Sequence, residues 1–273
     1  MDKKRLDVHM VEAGLAPSRE RARAMIMAGE VFVNGHKAEK AGAEVRPEDA
    51  VTLQEDPIPF VSRGGLKLDK ALKVFPLSLQ DKVCLDVGAS TGGFTDCMLQ
   101  NGARHVCALD VGYGQLAWQL RNDPRVTVME RRNARFMEPA WFEGLFDFAS
   151  IDVSFIYLKL ILPPLKACLK ESGQVVTLIK PQFEAGRGQV GKNGVVREAA
   201  IHRDVCINSI RYAQQLGYRV EDLSFSPITG PKGNIEFLLF LQNGPDGVPA
   251  QTEDFEEKVA RVVSDSHRFH INC

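Results

Sequence analysis

A glycine-rich segment and a later aspartate have the residue types that bind a nucleotide-like cofactor. The segment Asp86-Val87-Gly88-Ala89-Ser90-Thr91-Gly92-Gly93-Phe94 follows an apolar stretch and precedes a helical one. Glycines at such a turn let the backbone approach a ligand and leave the N–H groups of the helix free. Asp110 ends the next apolar stretch, about 20 residues further on, where an acidic residue commonly binds ribose hydroxyls. We therefore predict a bound cofactor here rather than a tight turn without a ligand.

Glycine spacing and one charge distinguish two classes of cofactor. The glycines of this segment lack the G-x-G-x-x-G spacing that is typical of dinucleotide-binding loops. Asp86 precedes the loop, where its carboxylate would repel a pyrophosphate and could instead face the ammonium group of S-adenosylmethionine. We therefore favour S-adenosylmethionine over NAD.

Four ionisable residues stand where side chains could reach the ligand crevice of an α/β sheet: Lys67, Asp152, Lys180 and Glu236. Asp152 and Lys180 each follow an apolar stretch directly, and the carboxyl ends of parallel strands meet at one crevice. Glu236 opens the last apolar stretch, which would join the same edge if that strand runs antiparallel. A neutral Lys180 could take the proton from a hydroxyl nucleophile, although burial and nearby carboxylates shift a lysine pKa in opposite directions. A plain surface charge is the alternative for each residue, and it is strongest for Lys67.

The elements that would position these residues alternate between strand and helix. A helix is predicted at 65–74, and apolar stretches predict strands at 82–87, 105–109, 126–130, 146–151, 175–179, 219–225 and 235–241. This alternation predicts an α/β fold with a mostly parallel sheet between helices. The last two strands are too close in sequence for a crossover helix, so we expect the last strand to be antiparallel. A polar helix is predicted at 253–265.

The first 54 residues predict a small, separate α+β unit. Two short helices come first, and the second begins at the N-cap Ser18 and ends at Gly29. Asn34-Gly35 is a strong hairpin signal, and a closing strand follows at 50–53. Residues 55–62 contain two prolines and no periodicity, so we interpret them as a linker. The expected division is therefore 1–54, 63–245 and a C-terminal helix and tail at 246–273.

Composition excludes several classes of protein. The 273 residues include 34 Lys and Arg against 35 Asp and Glu, and a net charge of −1 argues against coating nucleic acid through bulk charge. The six cysteines form no C-x-x-C pair and do not cluster with histidine, so we predict no metal site, no disulfide scaffold and a cytoplasmic location. No apolar run approaches the ~18 residues that a membrane helix needs, and the N-terminus does not resemble a signal peptide.

Five motifs, in order, resemble the FtsJ-like ribose 2′-O-methyltransferases, and within them the TlyA subgroup that is sometimes named hemolysin. They are SRGGLKL, DVGASTGGF, DVSF, IKPQFE and GNIEF, within residues 60–242. The resemblance implies a Rossmann-like, S-adenosylmethionine-dependent methyltransferase sheet and a catalytic Lys-Asp-Lys-Glu tetrad. Matched by motif, the tetrad is Lys67, Asp152, Lys180 and Glu236, with Lys180 nearest the target 2′-hydroxyl.

The cofactor-binding residues predicted from the loop and the resemblance are Asp86, Gly88, Ala89, Ser90, Thr91, Gly92, Gly93, Phe94, Asp110, Val111, Asn133 and Asp152. Asn133 departs from the family pattern, in which an acidic residue often lies near the adenine. An amide can still donate to or accept from adenine, so we keep Asn133 in the set.

Residues 4–54 resemble the S-four type RNA-binding fold, named after a ribosomal protein, through RLD, GLAPSRERARAMIMAGEVFVNG and DAVTL. Arginines beside helix N-termini suit phosphate, although a solvated helix with mixed charges is the alternative. The predicted RNA-binding residues are Lys4, Arg5, Ser18, Arg19, Arg23, Lys37, Arg63 and Arg187. The glycine-rich segment 183–203 is predicted to be a mobile flap beside the active site that RNA orders, with a passive surface loop as the alternative.

The leading hypothesis is therefore an enzyme that methylates ribose 2′-hydroxyls of ribosomal RNA. The resemblance implies cytidine targets and a partnership with ribosomal RNA or ribosomal subunits, without a membrane; the sequence defines no oligomeric state. A cytolysin is a second hypothesis, which the lack of a spanning or strongly amphipathic basic helix opposes. A non-catalytic RNA-binding assembly factor is a third, which the intact tetrad opposes.

Overall fold

The chain divides into two compact units, Met1–Pro59 and Phe60–Cys273. The computed structural model describes residues 3–34, 36–53, 58–186, 188–230, 232–245 and 255–271. Residues 55–57 of the predicted linker, the hairpin residue Gly35 and residues 246–254 of the predicted C-terminal segment lie outside these ranges. Phe60 is buried, and the N–H of Val61 donates to Asp96 Oδ2 at 2.8 Å. The second unit therefore begins slightly before the predicted boundary at residue 63.

The first unit has the predicted order of two helices, a hairpin and a closing strand. Its elements are β1 (Lys4–Arg5), α1 (Leu6–Glu12), α2 (Arg19–Ala28), β2 (Val31–Val33), β3 (His36–Lys37), β4 (Glu44–Val45) and β5 (Val51–Leu53). Strand β2 pairs antiparallel with β3 and β5, and β1 pairs with β4. Both predicted ends of α2 are confirmed, because Ser18 Oγ accepts from Arg21 N–H at 3.2 Å and Gly29 has a φ of 76°.

Asp7, at the start of α1, is a fully buried carboxylate held by arginines. Its Oδ2 lies 3.0 Å from Arg5 Nη2, 3.3 Å from Arg19 Nη2 and 3.0 Å from Arg23 Nε. The hydrogen bonds from Arg5 act most strongly, burial opposes them, and Arg23 and Arg19 add to them, so the pKa of Asp7 is held well below its usual range. Three of the arginines that we predict to bind RNA thus converge on one carboxylate.

The second unit is built on a seven-stranded sheet with the order β11-β12-β10-β9-β6-β7-β8. Its strands are β6 (Val83–Val87), β7 (His105–Leu109), β8 (Val126–Met129), β9 (Phe146–Ile151), β10 (Leu169–Ile179), β11 (Tyr218–Phe225) and β12 (Phe237–Asn243). The pairs β10–β9, β9–β6, β6–β7 and β7–β8 are parallel, whereas β12 is antiparallel to both β10 and β11. The predicted mostly parallel sheet with an antiparallel last strand is confirmed.

Helices pack against this sheet. They are α3 (Gly65–Val74), α4 (Gly93–Gln100), α5 (Trp118–Arg121), α6 (Leu162–Cys168), α7 (Pro181–Glu184), α8 (Ala199–Gln215) and α9 (Glu256–Ile271). Helix α4 packs on β6 and β7 and on α3, while α8 packs on β10, β11 and α9. The core combines apolar residues of the sheet with those of α6, α8 and α9, and the strand residues Phe148, Tyr218 and Phe237 are fully buried.

Three predicted bounds are wrong by more than two residues. Strand β10 begins at Leu169, well before residue 175, and contains an irregularity between Leu169 and Gln174 that a period-two pattern does not reveal. Helix α9 continues to Ile271 rather than ending at residue 265. The predicted flap at 183–203 includes the start of α8, and Asn234 holds its middle by accepting from Val196 N–H at 2.9 Å and donating to the Gly194 carbonyl at 3.0 Å.

We predict that Asp7→Asn lowers the free energy of unfolding of the first unit by about 1–3 kcal/mol, because a charge-assisted acceptor is lost in a buried place. Asp7 has a depressed pKa in the folded state, so its contribution is present above its unfolded pKa of about 4 and is lost as pH falls below that value. Amide hydrogen exchange of α1 and α2 between pH 3 and 7 measures both effects.

The exposed Glu20→Gln on α2 is the matched control, because it also removes one carboxylate. Equal exchange protection in Asp7→Asn and Glu20→Gln would contradict this account of Asp7.

Candidate functional site

The glycine-rich loop joins β6 to α4 and passes close to the end of β9. Gly88 has a φ of 88°, and a Cβ there would lie 2.8 Å from the carbonyl oxygen of Asp152. Gly92 has a φ of 95° and a Cβ there would meet the side chains of Leu120 and Leu116. Glycine is required at both positions, because side chains disfavour this backbone region and no space is left for one.

Asp110, at the end of β7, fixes the loop from the neighbouring strand. Its Oδ2 accepts from the N–H of Ser90 at 2.7 Å, and its Oδ1 accepts from the N–H of Gly112 at 2.6 Å. A cavity of about 540 Å³ adjoins this carboxylate and is lined also by Val111, Asn133 and Ile156. The predicted residues Asp110, Val111 and Asn133 thus lie around one space, beside the loop.

Asp86 does not lie where the cofactor prediction requires. It is fully buried beneath the loop, where its carboxylate accepts from Thr95 Oγ1 at 2.7 Å and from Ser150 Oγ at 3.0 Å. Burial raises the pKa of Asp86 to about 6, against the two hydroxyl hydrogen bonds. Asp86 supports the loop from inside, so the prediction that it faces an ammonium group is wrong.

The four ionisable residues that we predict to be catalytic form one cluster of ion pairs. Asp152 forms ion pairs with two lysines, with Oδ2 3.1 Å from Lys67 Nζ and Oδ1 2.5 Å from Lys180 Nζ. Lys67 Nζ also lies 2.8 Å from Glu236 Oε2, and the Glu236 side chain is only 1% exposed. Helix α3, the ends of β9 and β10 and the residue before β12 contribute one member each. The parallel and antiparallel pairing of the sheet therefore brings the tetrad together.

Charges in this cluster stabilise each other. Burial acts most strongly on Lys67 and would lower its pKa, but Asp152 and Glu236 together outweigh burial, so the pKa is raised. Burial would raise the pKa of Asp152, but Lys180 and Lys67 outweigh it, so that pKa is lowered. Lys67 is therefore cationic and Asp152 anionic at neutral pH, as paired charges in a buried site must be.

All four cluster residues line a cavity of about 500 Å³, together with Ala89, Thr91, Gly93 and Phe94 of the loop. This cavity and the one beside Asp110 share Gly88, Ser90, Asp152, Ser154 and Phe155 in their walls. Gly92 lines neither of the two cavities, so it shapes the loop without facing them. The two cavities form adjoining halves of a site, with Asp152 at the boundary.

Residues after β9 and β10 also belong to this site, although sequence reasoning missed them. Phe155 has a φ of 63° and is 90% exposed, and its ring packs on Phe183 with centroids 4.9 Å apart. Ser154 accepts from Lys180 Nζ at 3.2 Å, and Gln182 lines the first cavity. Their position in the sequence could have indicated them, because they closely follow Asp152 in DVSF and Lys180 in KPQF.

The predicted RNA-binding residues differ from one another in their exposure and in the groups that they contact. Arg5, Arg19 and Arg23 are each about half exposed around Asp7, and Lys4 pairs with Glu12 at 2.7 Å. The Ser18 hydroxyl caps α2, which is a structural role. Lys37 is exposed, as is Arg63, which donates to the Thr229 carbonyl. Arg187 lies outside the described residues.

The described ranges contain neither a candidate metal centre nor a candidate membrane span. No group of three or more His, Cys, Asp or Glu side chains there could hold a metal ion. No helix in the same ranges is long and apolar enough to cross a membrane. The five described cysteines are buried thiols, and burial raises the pKa of Cys84 to about 12.

Comparison with known proteins gives concordant matches to both units. A Bacillus subtilis protein described as a candidate rRNA methyltransferase, YqxC, is 52% identical over 267 residues, covering 97% of this chain and 95% of that protein. The 16S/23S rRNA (cytidine-2′-O)-methyltransferase TlyA of Mycobacterium tuberculosis is 44% identical, covering 96% of this chain and 97% of its own length. A solved structure from Streptococcus thermophilus, described as a candidate hemolysin, is 49% identical with a TM-score of 0.79, covering 100% of this chain and 98% of that chain.

Family models match each unit separately. Residues 4–51 match the S4 domain. Residues 60–243, which carry the glycine-rich loop, both cavities and the whole ion-pair cluster, match the FtsJ-like methyltransferase model. The protein therefore belongs to the FtsJ-like methyltransferase family.

Proposed function

We propose that this protein transfers a methyl group from S-adenosylmethionine to a ribose 2′-hydroxyl of ribosomal RNA. The observation that carries the proposal is the paired cluster of Lys67, Asp152, Lys180 and Glu236, in which Asp152 lines both halves of the site. Such a cluster holds the Lys180 side chain in the wall of the first cavity, next to Asp152 at the boundary with the second. This is the arrangement that deprotonating a hydroxyl beside a bound methyl donor needs.

S-adenosylmethionine fits the residues around the two cavities. Gly88 lines both cavities, and because it has no side chain its backbone can lie against the Asp152 carbonyl at their boundary. Asp110 would bind the ribose hydroxyls of the cofactor, and Val111 and Asn133 would flank its adenine in the second cavity. The bound group supplies an electrophilic methyl on a sulfonium. Because Asp86 is buried, the preference over NAD depends on the lysine–carboxylate cluster and on the family, not on Asp86.

The chain's own residues divide the chemistry between them. Lys180 in its neutral form takes the proton of the target hydroxyl at Nζ as the oxygen forms its bond to the methyl carbon. Asp152 fixes Lys180 through the 2.5 Å contact and is itself held ionised by Lys67. Glu236 balances the buried charge of Lys67. Alignment of hydroxyl, amine and methyl provides much of the rate enhancement in such a site.

The name of the Mycobacterium tuberculosis relative supports cytidine as the target nucleoside and ribosomal RNA as the substrate. The S4 domain match and the half-exposed arginines around Asp7 support RNA contact by the first unit. Asp7 would hold these guanidinium groups in place, and their outer N–H groups would meet phosphate. Such a substrate places the protein in the cytoplasm.

Transfer of labelled methyl from S-adenosylmethionine to isolated ribosomal subunits, followed by nucleoside analysis, tests the function. We expect label in 2′-O-methylcytidine. Label on a base would overturn ribose methylation, and another 2′-O-methylnucleoside would overturn the choice of cytidine. RNA binding without any label would favour a non-catalytic assembly factor. Lysis of erythrocytes by the purified protein, without methyl transfer, would favour a cytolysin.

We predict that Lys180→Met lowers kcat for methyl transfer at least ~100-fold, because the proton acceptor is removed while the side-chain length is kept. The affinity for S-adenosylmethionine, measured by calorimetry, should stay unchanged. Lys73→Met on the exposed face of α3 is the matched control and should keep wild-type kcat. A Lys180→Met variant with wild-type kcat would refute the role of Lys180.

We predict that Asp110→Asn raises the Kd for S-adenosylmethionine by about 10- to 100-fold, the equivalent of one charge-assisted hydrogen bond. The amide can accept at only one of the two positions where the carboxylate now meets Ser90 and Gly112 N–H groups. Calorimetric titration with S-adenosylmethionine and with its demethylated product measures the change. Asp265→Asn, on the surface of α9, is the control, and an equal Kd for the two variants would contradict the role of Asp110.

A further inference from the structure

The amine of Lys180 contacts two acceptors on the segment that follows β9. Its Nζ lies 2.5 Å from Asp152 Oδ1 and donates to Ser154 Oγ at 3.2 Å. Lys180 is buried, whereas Ser154 is exposed and lines both cavities. Asp152 and Ser154 are two positions apart, so the same short segment holds the amine from two directions.

The tetrahedral geometry of an amine nitrogen links these contacts to the direction of the Lys180 lone pair. A lysine nitrogen has four tetrahedral positions, and Cε occupies one of them. In the form that can accept a proton, two positions are N–H groups and one is a lone pair. One N–H group of Lys180 donates to Ser154 Oγ, whereas Asp152 Oδ1 is close to Nζ without the alignment of a hydrogen bond, so Ser154 provides the directional contact of an amine that lines the first cavity. With the ion pair to Asp152 alone, rotation about the Cε–Nζ bond would exchange the lone pair with an N–H group.

We propose that Ser154 is a positioning residue that aims the lone pair of Lys180 at the target ribose hydroxyl. The inference rests on the proposed function and adds a residue outside the predicted tetrad. As the ribose oxygen forms its bond to the methyl carbon, the carbon–sulfur bond breaks and its electron pair stays on sulfur. The hydroxyl proton moves to Lys180 Nζ, while one N–H group stays on Ser154 and the amine stays beside Asp152.

Steady-state kinetics of Ser154→Ala test the proposal. We expect kcat to fall by about 3- to 10-fold, the rate equivalent of one hydrogen bond between neutral groups, with unchanged affinities for S-adenosylmethionine and RNA. Ser154→Thr keeps the hydroxyl and should restore kcat. Ser264→Ala, an exposed serine on α9, is the matched control and should behave as wild type.

The kinetic outcomes separate this inference from the function on which it rests. Wild-type protein that transfers no methyl group to ribosomal RNA would overturn both. An active wild type with an unchanged kcat in Ser154→Ala would overturn the inference alone. A loss of S-adenosylmethionine affinity with unchanged kcat would also overturn it, because Ser154 would then be a cofactor ligand.

A spectroscopic measurement on the full chain without cofactor tests the contact directly. Lysine-selective ¹⁵N NMR reports how fast the Nζ protons exchange with water, and the Lys180 signal is assigned by its absence in Lys180→Met. We expect faster exchange in Ser154→Ala than in wild type and Ser154→Thr. Equal exchange rates in all three proteins would overturn the role of Ser154.

Discussion

The candidate site depends on one carboxylate, Asp152, which holds two lysines from different parts of the chain. Its two oxygens face Lys67 and Lys180, and Glu236 adds a second anion beside Lys67. Charges in a buried place must be paired, because desolvation would otherwise neutralise them or destabilise the fold. The pairing therefore fixes helix α3 and the ends of β9 and β10 around one point. Removing Asp152 would leave two buried cations without this partner.

The sheet and the glycine-rich loop place a ligand site against that carboxylate. Strand β6 lies between β7 and β9, so the loop after β6 can contact Asp110 on one side and Asp152 on the other. The absence of a Cβ at Gly88 permits the close approach to Asp152. Asp86 supports the same loop from below through Thr95 and Ser150. The crevice at the carboxyl edge of this parallel sheet is thus closed by backbone on one side and by paired charges on the other.

The first unit also contains a buried carboxylate that pairs with several cations. Asp7 is buried, and three arginines converge on it while about half of each arginine side chain stays exposed. A guanidinium group that is already oriented loses less conformational freedom when it meets a phosphate. This explains how a chain with a net charge of −1 can still present a locally basic surface. Selective RNA contact needs such a surface rather than a high overall charge.

Sequence patterns were sufficient for the strand order in the chain, the caps of α2, the glycine-rich loop and the four residues of the ion-pair cluster, because these depend on local periodicity and on motifs. They also indicated the antiparallel last strand, through the short connection before it. They misplaced Asp86 and missed Ser154, Phe155 and the Asp7 cluster. Whether a side chain faces a cavity or the core depends on contacts with residues far away in the chain, such as Thr95 and Ser150 for Asp86. Residue types and spacing determined which groups could react, and only the tertiary structure decided which of them meet, because burial and ion pairing arise from long-range packing.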